Sequence, residues 1–222
     1  MRPGDLTGFE YFVDHADAFA DGAWVMLQLS VLSFVFALVI GVVVASFRVS
    51  PIPPLQRFAA VYVSIFRNIP LIVIFFLFFF GLPKVGVRFN PFVSAIIVMS
   101  TYTGAYMAEV IRSGINSVST GQAEAGRAVG LNFTQLLGHI VIPQALRTVV
   151  APIGNLFVAN AKNTSIALTI GVVELTSVSR QLINRTAQTW YALIGAAAIY
   201  VVYLLLAGYV FGRIERRVAI KR

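Results

Sequence analysis

Apolar residues along the chain form runs too long for a soluble core. Four stretches, 24–47, 91–111, 149–173 and 190–211, reach the about 20 residues needed to cross a hydrocarbon layer roughly 30 Å thick. A fifth apolar region is broken. FAAVYVSIF (58–66) and LIVIFFLFFFGL (71–82) are each too short to cross alone, and RNIP lies between them. One helix over 58–82 would rise about 37 Å at 1.5 Å per residue, so the pattern predicts a single span interrupted at Pro70. Between the third and fourth spans the hydrophobicity lapses in STGQAEAGRAVGLNFTQLLGHIVIPQALR, residues 119–147.

That insert is punctuated as two short helices. Ser119 followed by Gln122 fits a capping box at a helix start. Gly130 suits the left-handed position that ends a helix, and Asn132 suits the N-cap of the next. Phe133, Leu136, Leu137, Ile140 and Val141 then recur at helical spacing and form one apolar stripe. Pro143 is expected to halt that helix and open the following span from its first turn. Two readings stand on these residues alone: an amphipathic hairpin lying on the membrane surface, and a docking surface for a cytosolic partner.

Composition supports membrane spans throughout. Of 222 residues, 58% are hydrophobic and 12% charged, with mean hydropathy +0.83, whereas soluble domains carry about 25% charged residues. The expected fold class is an all-α membrane protein with five transmembrane helices, the second interrupted by proline. Cysteine is absent, which excludes disulfides, cysteine zinc sites and cysteine nucleophiles, and no metal site is expected.

The net charge of +8 raises the question of nucleic acid, but the basic residues sit at the ends of apolar segments with no aromatic interleaving. No nucleic acid is expected as a partner; membrane lipid is. With the N-terminus outside, Arg48, Arg57, Arg112, Arg127, Arg147, Arg213, Arg216, Arg217, Lys221 and Arg222 lie on the inner side. Only Arg2, Lys84, Arg88, Arg180 and Arg185 lie outside. The excess of inner cations predicts an external N-terminus and a cytosolic C-terminus, with the insert as a cytosolic hairpin between spans 3 and 4. The first 21 residues carry Asp5, Glu10, Asp14, Asp17 and Asp21 against Arg2, the reverse of a basic leader, so no cleavable signal peptide is expected. The expected organisation is an extracytoplasmic segment 1–21, one transmembrane domain 22–215 containing the insert 114–145, and a basic cytosolic tail 216–222. There is no internal repeat, and small residues such as Gly41, Ala45, Gly104, Ala105, Gly195 and Ala196 suit close helix packing.

Charged groups at membrane depth are costly and mark candidate sites. Arg67 falls about 10 residues into its span, beside the backbone groups that Pro70 frees, and either lines a solute pathway or fixes packing through a counter-charge. Lys162 lies among Asn160, Asn163, Thr164 and Ser165 in the outer half of the fourth span. A cation with amides and hydroxyls suits an anionic or zwitterionic solute; alternatively Lys162 snorkels outward. Glu109 and Arg112 are spaced i, i+3 for a structural ion pair. Glu174 and Arg180 flank an outer loop, where they are solvated or meet a partner.

EAGRAVGLNFTQLLGHIVIP resembles the EAA signature of permease subunits of ATP-binding-cassette (ABC) importers, with Glu124, Ala125, Gly130, Ile140 and Pro143 on the pattern. Gly126 replaces its second Ala and Ile142 its Leu, and Gly126 loosens the first helix by up to about 1 kcal/mol relative to Ala. SIFRNIPLIVIFF, AYMAEVIRSGINSV, GQAEAGRAVGL, IPQALR and NAKNTSIALTIGVVEL resemble the polar amino-acid branch of the histidine, glutamine and glutamate type, and IRSGIN, GQAEAGRAVGL and NAKNTSIA further resemble its glutamate permeases.

The resemblance implies a multi-pass permease of the bacterial plasma membrane that moves a polar amino acid such as glutamate inward. It implies a coupling helix about 119–130, with Gly121, Glu124, Ala125, Gly126, Ala128, Gly130, Ile140 and Pro143 as ATPase-coupling residues. The implied partners are a cytosolic ABC ATPase dimer, a second permease subunit of the same or a sister chain, and an extracytoplasmic substrate-binding protein. ATP and magnesium would then sit on the ATPase, and this chain would carry no cofactor and not be an enzyme. Consistently, it has no Gly-x-x-x-x-Gly-Lys-Ser/Thr phosphate loop. The alternative is an autonomous secondary transporter or channel, which lacks support from any repeat or midplane carboxylate. A membrane-embedded enzyme would need an intramembrane His, and His15 and His139 fall outside the expected spans.

Overall fold

Lipid supplies no hydrogen bonds to the backbone, so a chain this apolar must close its amides and carbonyls within helices. A computed structural model describes residues 8–218, leaving aside the side chains of Ala123, Phe133 and Thr134. The helices are α1 (Phe9–Asp14), α2 (Ala16–Val49), α3 (Pro53–Asn68), α4 (Leu71–Phe76), α5 (Pro91–Asn116), α6 (Thr120–Ala128), α7 (Phe133–Leu136), α8 (Ile142–Asn163), α9 (Leu175–Thr186) and α10 (Thr189–Val218). Among the described residues every regular element is helical.

Four stretches are long and apolar enough to cross a membrane: α2, α5, Leu137–Ile170 and α10. A fifth arises only if α3 and α4 with its continuation to Val85 form one span. This broken region differs from a straight helix. α3 ends at Asn68, Pro70 takes an extended conformation (φ −57°, ψ 136°), and the chain bends by 105° at the break. Proline has no N–H and blocks the preceding turn, and its carbonyl is re-used by the amides of Val73 and Ile74 at 3.0 and 3.3 Å. The rise of the two pieces therefore does not add along one axis.

Pro143 does not halt a helix as expected. α7 passes through a π-helical turn, Leu137–Val141, directly into α8. The wider turn accommodates a residue that cannot donate and would clash in a regular α-turn. The expected fourth span likewise starts earlier, at Ile142, and its C-terminal part is a 3-10 turn, Thr164–Ile170.

The chain divides into two compact units. The first comprises Met1–Val35, Ile69–Ser100 and Val158–Leu206. Its core includes Tyr11, Phe19, Met26, Leu175, Val178, Leu182, Ala192 and Ala196. The described part of the segment 1–21 is therefore helical and packed, with Tyr11 fully buried; residues 1–7 lie outside the described residues, as do 219–222 of the basic tail. α9, absent from the expected spans, buries Leu175, Val178 and Leu182 along one face.

Glu174 corrects the expectation of a solvated loop charge. It is fully buried, and its carboxylate caps α9 by accepting from the amides of Thr176 and Ser177, both at 2.8 Å, and from the Tyr200 hydroxyl at 3.1 Å. Burial pushes this carboxyl above its ordinary range, against the pull of those three donors.

The second unit comprises Phe36–Asn68, Thr101–Phe157 and Ala207–Arg222. Val44, Ala45, Ala59, Val63 and Ala108 form its core between α2, α3 and α5. A Cβ on Gly41 would overlap Met107 of α5, which is the close approach expected of small residues. The Tyr62 hydroxyl donates to the Thr101 carbonyl at 2.6 Å and ties α3 to α5.

Removing the Glu174 cap in Glu174→Ala is expected to lower stability by about 1–2 kcal/mol, read from thermal unfolding in detergent. Because the folded chain holds the Glu174 proton to higher pH than the unfolded chain, this group's contribution to stability falls as pH rises above the ordinary carboxylate range. Glu174→Gln should flatten that part of the pH profile.

Candidate functional site

The polar insert folds as a capped hairpin within the second unit. α6 ends through Gly130, whose φ of +86° is costly for a residue with a Cβ. The Gly130 amide donates to Arg127 at 2.9 Å and the Leu131 amide to Gly126 at 3.1 Å, the paired closing bonds of a glycine-ended helix. The next helix opens on a reciprocal cap: the Gln135 amide donates to Asn132 Oδ1 at 2.9 Å, and the Asn132 amide to Gln135 Oε1 at 3.0 Å.

The capping box therefore lies at Asn132 and Gln135, not at Ser119 and Gln122. Ser119 holds the N-cap position of α6 without a side-chain cap bond; the Gln122 amide donates to the Ser119 carbonyl at 3.1 Å, and the Gln122 side-chain oxygen, which would complete the box, accepts instead from the Gln144 side chain of α8. Two helices of different origin are thus cross-tied.

Gly126 does more than loosen α6. A Cβ there would stand 2.7 Å from Leu136 Cδ1 and 2.8 Å from Ile140 Cδ1, so the missing methyl lets α6 lie directly on the apolar stripe. Leu136 is buried, and Leu137, Ile140, Val141 and Pro143 are half-buried; the place of Phe133 on this stripe lies outside the described side chains. On the outer side Gly121, Glu124, Ala125, Ala128 and Gly130 are exposed. Val129, which sequence reading passed over, is 79% exposed at the tip, an apolar residue offered outward.

In the first unit, the NAKNTS residues divide between interior and surface. Asn160 is buried and donates from Nδ2 to Ser30 O at 3.0 Å and Ser33 Oγ at 2.9 Å. Thr164 is buried, donating to Ala161 O at 2.8 Å. Both side chains thus pack the first unit. Lys162 is exposed, Asn163 and Ser165 are half-buried, and Ser165 Oγ donates to Lys162 O at 2.8 Å where α8 gives way to the 3-10 turn.

The other expected charges meet in the second unit. Arg112 donates to Glu109 Oε1 at 2.7 Å from Nε and to Oε2 at 2.9 Å from Nη2. Arg48, from the end of α2, reaches Oε1 at 3.3 Å, and Arg67, in the last turn of α3, stands 3.7 Å from Oε2. Sequence spacing gave only Arg112, since the other two partners are brought in by tertiary folding. Arg67 also lies over the Tyr106 ring, 5.3 Å from its centroid. A cleft of about 470 Å³ opens here, with Arg48, Ser64, Arg67, Asn68, Tyr106 and Glu109 on its walls. Among the described residues no group of three or more His, Cys, Asp or Glu side chains could hold a metal ion.

The long apolar helices are those of a multi-pass membrane protein, and the family match places it in the plasma membrane and in the transport class. The family described as binding-protein-dependent transport system inner membrane component matches residues 37–220, and the chain belongs to it. It is 36% identical to the probable glutamine ABC transporter permease protein GlnM of Bacillus subtilis, over 92% of this chain and 94% of that protein. It is 33% identical to the glutamate transport system permease protein GluC of Corynebacterium efficiens, over 90% of this chain and 93% of that one. A crystal structure of an amino acid ABC transporter with histidines superposes with a TM-score of 0.90 at 29% identity, covering 96% of this chain and 99% of that one.

Asn132→Ala should cost the α7 cap about 1 kcal/mol, so amide hydrogen exchange over 133–141 should quicken roughly fivefold with the rest of the chain unchanged.

Proposed function

We propose that this chain is the permease of an ATP-driven importer for a polar amino acid, with glutamate favoured and glutamine and cystine as the nearest alternatives. The family supports import with a binding protein, and the names of relatives supply the solutes: glutamine, glutamate and cystine. The observation that carries the mechanism is the hairpin. Its turn is closed by Gly130 and by the Asn132 cap, it is cross-tied to α8, and it is exposed along Gly121, Glu124, Ala125, Ala128 and Gly130.

In this reading the hairpin faces the cytosol and seats in a groove of an ATPase subunit. Closure of two ATPases pushes α6, and the ties through Gly126 and Gln144 carry that displacement into α8. A loosely held loop would absorb the movement; a body closed by its own hydrogen bonds transmits it. The chain supplies no ATP chemistry, in keeping with a sequence that holds no phosphate-binding loop. It works with a second permease, the same or a sister chain, and an extracytoplasmic binding protein supplies solute on the side of the N-terminus. Lys162, Asn163 and Ser165 offer the polar surface of the fourth span to the solute.

The test is reconstitution with ATPase and binding protein in vesicles, measuring uptake of radiolabelled L-glutamate, L-glutamine and L-cystine with ATP inside. Uptake of one of them is expected; uptake without nucleotide, or of none, would sink the reading. Gly130→Lys should strain the turn by about 1–2 kcal/mol and burden the docking face. Membrane insertion and ATP hydrolysis should persist while uptake falls at least about tenfold.

A further inference from the structure

The geometry points to the cleft between α2, α3 and α5 as a receiving site for the carboxylate of the transported solute, with Arg67 as the residue that grips it. This rests on the amino-acid import proposed above and goes beyond it by assigning one cavity and one contact.

Charge balance is the first reason. Three guanidiniums surround one carboxylate, so the cluster carries two uncompensated positive charges beside apolar helices. Each guanidinium brings about five N–H donors, whereas Glu109 offers about four acceptor positions. Arg112 takes two of these in a short forked contact, and Arg48 adds a third at 3.3 Å. Arg48 Nε is buried and, among the described residues, has no hydrogen-bond partner. Donors are in surplus, and an anion is what would use them.

Arg67 is the arginine that remains available. Its 3.7 Å approach to Glu109 is the longest of the three, and its side chain is 43% exposed against 24% for Arg48 and 32% for Arg112. The Tyr106 ring beneath it and the Tyr106 hydroxyl, which donates to the Arg67 carbonyl at 3.4 Å, hold it in place at the mouth of the cleft. A planar fork so held suits bidentate recognition of a carboxylate. Ser64 and Asn68 stand beside it and can bond a second polar group of the solute.

The two faces of α3 decide between a solute and a lipid headgroup. Phe58, Val61 and Ile65 form an exposed apolar stripe, 63%, 57% and 46% accessible, as a lipid-facing surface would. Ala60, Ser64 and Arg67 lie about a third of a turn round the helix and line the cleft. Arg67 is thus turned away from the side of α3 that suits lipid. The volume of about 470 Å³ falls in the range of small-molecule sites.

The test uses the complete importer in phosphatidylcholine vesicles, with the three radiolabelled amino acids named above. Arg67→Gln should lower uptake at least about tenfold, as loss of one forked charge-assisted contact predicts, with Arg67→Lys intermediate. Co-purification of both variants with the ATPase reads assembly apart from solute contact. A second measurement needs no variant: phenylglyoxal labelling of Arg67, read by mass spectrometry, should be slowed by the imported amino acid and not by its α-amide. Full uptake by Arg67→Gln, or equal protection by acid and amide, overturns the site while leaving the import reading intact. If Arg67→Gln fails to assemble, the protection result alone decides. Failure of the wild type to import any of the three removes both.

Discussion

Hydrocarbon has no hydrogen bonds to offer, so a chain this apolar must satisfy its backbone within itself, and three departures from the α-helix show how its polar groups are met. At Pro70 the chain restarts a helix, and the Pro70 carbonyl accepts the amides of Val73 and Ile74. At Pro143 a π-helical turn absorbs the missing donor without ending the helix. At Glu174 a buried carboxylate covers the first amides of α9, where no preceding turn can. These are also the points where the chain bends, widens or restarts, so they govern which side chains come together.

Charge obeys the same rule at a higher cost. Glu109 is stable among apolar helices because three arginines converge on it, and their surplus positive charge leaves room for an anion. Glu174 is handled differently, by amides and a tyrosine hydroxyl with no cation, and its proton is accordingly held more firmly. One carboxylate gathers a polar cleft and the other closes a packed corner. The hairpin is the converse case, a largely exposed segment that adds to the packing of Gly126 on Leu136 and Ile140 a cap, a left-handed glycine and one amide–amide tie.

Much of this was legible along the chain because its signals are local. Gly130 and Asn132 were read in their observed roles, since a left-handed turn and an N-cap depend on a few neighbouring residues. The capping box was placed one turn motif too early, at Ser119, because a glutamine can also be claimed by a distant helix, and Gln144 claims Gln122. Glu174 was read as solvated because it stands between apolar spans; only α9 and Tyr200, folding over it, bury it. Gly126 read as a weakness in α6 until Leu136 and Ile140 were seen to occupy the space a methyl would need.

By itself the sequence determined the helical membrane class, the sites of its long helices and the turn of the hairpin at Gly130 and Asn132, because hydrophobic run length and turn chemistry act between near neighbours. Tertiary structure decided the partners of each charge and the direction of each polar side chain. Arg48 lies 61 residues from Glu109, and a contact across such a separation exists only once α2 and α5 are packed at Gly41. Periodicity names the face of a helix; the neighbour that meets that face is settled by shape and by the energy of leaving a charge alone.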